Sequence, residues 1–166
     1  MTDAALKANK ADTREIVIDE IFPHAPGPIW KALTTGALIE RWITMPLTGF
    51  EAVAGNDFTF RTKPAGAWDG VIHCRVLEAV LNEKLVYSWK GGDAANVGYG
   101  APLDTIVTWT LTPSKSGTRL RLVHSGFVLP RNEGAYRNMG EGWKQIVKSI
   151  DTVAAGLNGS EAGERE

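Results

Sequence analysis

Over residues 14–22 apolar side chains recur at every second position, with Ile16, Ile18 and Phe22 on one side and Glu15, Val17, Asp19 and Ile21 on the other. A period of two predicts a strand that needs cover on one face only. Pro23 and Pro26 end it, because proline offers no amide for a ladder. The period then changes. Pro28 suits a first helical turn, Ile29, Trp30 and Leu33 follow on one helical face, and Leu38, Ile39 and Trp42 mark a second short helix over 37–42 after the break at Thr34-Thr35-Gly36.

From Asn56 alternation returns and persists. Phe58 and Phe60 alternate with Thr59 and Arg61; over 69–80, Ile72, Cys74 and Val76 oppose Val71, His73 and Arg75. Leu81-Asn82-Glu83 reads as a hairpin turn into 84–90, where Leu85, Tyr87 and Trp89 share a side. Residues 91–102 are rich in glycine, alanine and asparagine and read as a flexible connection. Val107, Trp109 and Leu111 define the next strand, and 114–117 turns the chain into a last one over 119–124, where Leu120, Leu122 and His124 face inward. Ser125-Gly126 reads as its end. The final stretch, 133–155, carries Met139, Trp143, Ile146, Val147, Ile150, Val153 and Ala154 at spacings of three and four, one face of a long helix.

This order, a strand, two short helices, about five further strands and a terminal helix, is that of an α+β fold with a largely antiparallel sheet of about six strands. One domain over 13–155 is expected, with flexible tails at 1–12 and 156–166, whose residues are small, polar or charged. At 166 residues and 43% apolar content the chain can bury a single core. Its 18 basic and 19 acidic residues nearly cancel, so nothing marks a nucleic-acid or membrane-surface binder. No apolar run reaches the roughly 18 residues of a membrane span. Without an apolar signal core near the start, a cytoplasmic location is expected.

Chemistry-bearing residues are few. Cys74, the sole cysteine, alternates with Ile72 and Val76 and reads as a buried, inert thiol. The three histidines lie on separate elements and give no metal-ligand spacing. His124 faces the helix, where it acts either as an orienting group or base toward a ligand, or, more commonly, as a core histidine satisfied by a neighbour. Ser125 points the opposite way, so the two form no nucleophile and base pair. Gly98-Tyr99-Gly100 lacks the strand before and helix after that a phosphate loop requires. No catalytic residue, cofactor or metal is assigned.

The order and spacing of Phe22-Pro23, Ala25-Pro26, Ile29-Trp30-Lys31-Ala32-Leu33-Thr34, Arg41-Trp42, Asp69-Gly70, 83–89, Gly117-Thr118-Arg119-Leu120, His124-Ser125-Gly126-Phe127 and Gly142-Trp143 resemble the START-like (SRPBCC) superfamily. Within it, the match is to the group named after the activator of the heat-shock-ninety chaperone ATPase. The chain departs from that group's common pattern in Arg41-Trp42, where two tryptophans often stand, and in Gly55-Asn56, where a glycine pair is frequent. The resemblance implies a helix-grip fold, a curved sheet wrapped around the terminal helix, with a hydrophobic cavity between them. It implies binding of a lipid-like or polyketide-like molecule, with a chaperone-regulating module in the stress response, or a cyclase or hydrolase, as the alternatives. The expected cavity set is Trp30, Trp42, Met45, Phe58, Phe60, Cys74, Tyr87, Trp89, Trp109, Leu122, His124, Met139, Trp143 and Val147, with Trp42, Met45 and Phe50 at one rim and 91–102 as a second lip. Buried aromatics are more often plain core, and that reading stands beside the first. The expected partners are a hydrophobic small molecule and, on the alternative reading, a chaperone, on a monomer or weak dimer.

Overall fold

The computed structural model describes residues 13–165, with side chains described as far as Leu157. The expected tail at 1–12 lies outside the described residues. Among the described residues there are strand β1 (Thr13–Phe22), helices α1 (Pro26–Thr34) and α2 (Gly36–Ile43), strands β2 (Leu47–Thr48), β3 (Asp57–Arg61), β4 (Val71–Val80), β5 (Lys84–Gly91), β6 (Leu103–Ser114) and β7 (Gly117–Val128), and helix α3 (Glu133–Arg165). The sheet is antiparallel throughout, in the order β1-β7-β6-β5-β4-β3-β2. This is the α+β helix-grip architecture. The two-residue β2 is an addition to the six predicted strands, too short to leave a periodic signal, and α3 continues past the end at Ala155 that its apolar period marks.

Alternation places the inner face as expected. Phe58 and Phe60, Ile72, Cys74 and Val76, Leu85, Tyr87 and Trp89, Val107, Trp109 and Leu111, and Leu120 and Leu122 are all buried, as are Trp143, Val147, Ile150, Val153 and Ala154 of α3. Outward positions carry cross-strand ion pairs such as Arg75 with Asp57 and Arg119 with Asp19. The helices α1 and α2 close one side of the sheet against α3.

One boundary differs instructively. Ser125-Gly126 does not end β7; it forms a bulge, with Arg14 opposite Phe127 and Glu15 opposite Ser125. Gly126 sits at φ 102°, a left-handed conformation that glycine adopts without the strain a Cβ would bring. The extra residue resets the alternation, so Phe127 turns inward beside His124, with ring centroids 4.7 Å apart and Phe127 fully buried. In strict alternation Phe127 would share the outer side with Val123 and Ser125.

Candidate functional site

His124 lies at the centre of the packed region. Its Nδ1 accepts a hydrogen bond from Trp143 Nε1–H at 3.0 Å, which requires Nδ1 to be unprotonated. The neutral ring therefore carries its proton on Nε2, whose N–H donates to Thr105 Oγ1 at 2.7 Å, and the Thr105 hydroxyl donates in turn to the Trp89 carbonyl at 2.9 Å. Each donor in the chain has an acceptor. Burial holds the imidazole pKa down at about 3, because a cation here would lose its hydration and would set an N–H against the Trp143 N–H. Both ring nitrogens are occupied, so His124 has no lone pair free to act as a base on a ligand.

The aromatics around it pack edge to face. Trp109 meets Trp42 at 5.7 Å and Trp143 at 5.6 Å, and its indole N–H donates to the Tyr87 hydroxyl at 3.0 Å. Trp42 donates to the Ala32 carbonyl at 2.8 Å and is 2% exposed, which puts it inside the core and away from any rim. Burial drives the Tyr87 and Cys74 pKa values upward, so both remain protonated and neutral. Trp30, Phe58, Phe60, Leu122 and Val147 are likewise buried members of this core.

Open space begins where the inner face approaches the first turns of α3. A cavity of about 210 Å³ is bounded by Ile72 and Trp89 of the sheet, Leu103 at the start of β6, Thr62 and Trp68, the segment 98–101 with Gly91 and Gly92, and Asn132, Ala135, Asn138 and Met139. A second, also about 210 Å³, lies one helical turn further along α3, between Ile43, Met45, Trp89, Asn138, Met139, Gly142, Trp143 and Ile146. Among the described residues no charged side chain lines either. Of the expected set, Met45, Trp89, Met139 and Trp143 meet at these cavities, and the others sit in the core described above.

Trp68, Tyr99, Leu103, Asn132 and Asn138 were not anticipated. Tyr99 had a legible signal, since it lies in the segment expected to form a lip. That segment is held by side chains: Asn96 accepts from the Ala67 amide and donates to the Ala65 carbonyl at 2.7 Å, while the Tyr99 hydroxyl donates to the Lys63 carbonyl at 2.6 Å and its ring meets Trp68 at 5.8 Å. Asn132, 2% exposed, ties the far end of the segment to the start of α3, donating to the Pro102 carbonyl at 2.7 Å and accepting from the Val128 amide at 2.9 Å. Gly92 takes φ 87°, and a Cβ there would fall 2.2 Å from the Ala101 carbonyl oxygen. The fold thus ties into a wall, through these hydrogen bonds, a stretch whose composition suggested flexibility.

Comparison with solved structures gives the same fold. A protein named MLL2253 from Mesorhizobium loti is 33% identical, with 84% of this chain and 96% of that chain covered and a TM-score of 0.71. Mll3558 from Rhizobium loti is 19% identical over 85% of this chain and 96% of its own, with a TM-score of 0.67. CalU16 from Micromonospora echinospora is 21% identical over 84% of this chain and 73% of its own, with a TM-score of 0.63. No curated protein sequence matches. Among the described residues no helix is long and apolar enough to cross a membrane. Residues 24–155 match the family described as Activator of Hsp90 ATPase homolog 1-like protein, and the chain belongs to that family.

Proposed function

We propose that this protein binds an uncharged, hydrophobic small molecule in the cavities between β5, the 91–102 segment and the first half of α3. The observation that carries this reading is the lining: two adjoining, mainly apolar spaces against Trp89 with no charged side chain among the described residues on either. Apolar enclosure with a few polar groups is the usual form of a small-molecule site. An ion would have to shed its hydration there with no charged side chain among the described lining residues to offset the loss. Membership of a family in which hydrophobic ligands are typical supports the same reading.

Titration with neutral aromatic compounds, followed by tryptophan fluorescence and backbone amide shifts, tests it. Binding should move the Trp89 and Leu103 signals, and Ala135→Trp, which places an indole in the first cavity, should abolish the response while the fold survives by circular dichroism. Absence of any response across the panel at soluble concentrations sinks the proposal. The chaperone-regulating reading has the family's name in its favour. The cyclase or hydrolase reading loses His124 as its base, since both ring nitrogens are committed.

A further inference from the structure

The two cavities share a wall. Trp89, Asn138 and Met139 line both of them, and each space alone, about 210 Å³, falls below the roughly 300–1,000 Å³ of ordinary ligand pockets. Joined, they reach that range. Trp89 is 3% exposed and packed by Phe60, His124 and Trp143, so its indole is a fixed part of the wall. Met139 is different. It is only half buried, and an unbranched thioether with three rotatable bonds changes shape at little cost.

The space beside it is open as well. Gly142 is three residues further on, on the same helical face, and a Cβ there would meet nothing within 4 Å among the described residues. A side chain at 142 would lean back toward the helix N-terminus and cover the surface next to Met139. Glycine inside a helix is destabilising relative to alanine. At this position it leaves the room that the second cavity occupies.

We propose that Met139 is a displaceable partition, and that the two cavities form one elongated site along Trp89 for a neutral molecule with two ring systems, one in each cavity. This rests on the binding reading above and specifies its ligand class. A single ring fits one cavity and leaves Met139 in place; a two-ring ligand displaces it and reaches Met45.

The probes are p-cresol, with one ring, and trans-4-hydroxystilbene, with two. Both are neutral at pH 7. With methionine methyl groups labelled with carbon-13, Met45 reports the second cavity and Met139 the partition. Hydroxystilbene should shift both methyl signals as well as the Leu103 amide, whereas p-cresol should not shift Met45 and Leu103 together. Gly142→Leu, which fills the second cavity, should weaken hydroxystilbene about tenfold more than p-cresol, as expected for about 1.4 kcal/mol of lost ring burial. Met139→Ala should tighten hydroxystilbene relative to p-cresol.

If hydroxystilbene shifts Leu103 and leaves Met45 unmoved in the unaltered protein, the joined site is overturned while the binding reading stands. This measurement does not depend on Gly142→Leu folding. If neither probe moves Leu103, Met45 or Met139, the binding reading falls, and the joined site falls with it.

Discussion

The proton on His124 has one place to be, and that fixes how its neighbours respond to change. Thr105→Val keeps the shape of the side chain but leaves the imidazole Nε2–H facing a methyl group; a buried donor without an acceptor costs about 1–3 kcal/mol, which urea denaturation at pH 7 should register as a lower midpoint. The acid response follows from the same site. A histidine in an unfolded chain titrates near 6.5, whereas here burial holds the ring near 3. Between those values the unfolded state binds the proton and the folded state does not. The stability due to neutral His124 is therefore complete above about pH 6.5 and is lost as pH falls toward 3, at up to about 1.4 kcal/mol per pH unit. His124→Gln should be less stable at pH 7 and should lose less stability than the unaltered protein between pH 7 and pH 5. Equal losses in the two proteins would show that His124 does not carry the effect.

Glycines decide the outcome in two elements, in opposite senses. In β7, a Cβ on Gly126 would stand 3.1 Å from the Asp104 carbonyl oxygen in a backbone conformation with φ 102°. Gly126→Ala should destabilise by about 1–3 kcal/mol, and the displaced Phe127 should loosen its contact with His124. In α3, Gly142 has helical neighbours and open space, so Gly142→Ala should stabilise by about 1 kcal/mol by urea denaturation; a loss of stability would mean that the position is not free. These two cases also mark what the sequence could and could not convey about the elements. Period-two and period-3.6 patterns announced strands and helices because one face of each is buried. A bulge breaks the period within one residue, and Ser125-Gly126 therefore resembled a strand end. The 91–102 segment shows no period, since its order comes from Asn96, Tyr99 and Asn132 bonding to residues distant in the chain.

At the scale of the whole molecule, alternation announces which side chains turn inward, but it does not divide them between a packed core and a cavity. Trp109 and His124 lie on the same inner face as Trp89, yet they are covered by Trp143 and Phe127, whereas Trp89 reaches open space where α3 begins. The division depends on where the helix leaves the sheet and on the wall made by 91–102, and both are products of long-range contacts. The stripe Val147, Ile150, Val153 and Ala154 is buried, so residues 147–154 are an anchored part of α3 and its first turns border the cavities. A bound ligand should consequently stabilise the molecule unevenly. At a free concentration a hundred times its Kd, a ligand adds about 2.7 kcal/mol to global stability. Local opening of the wall and of the first α3 turns should be suppressed as well, because opening there releases the ligand. Hydrogen exchange with and without hydroxystilbene measures this directly. Amides of 91–102 and of residues 135–143 should slow, while those of 147–154 should change only as far as global unfolding controls them. A uniform change along α3 would show that the ligand is not seated at its first turns, and slowing confined to 147–154 would place the site further along the helix.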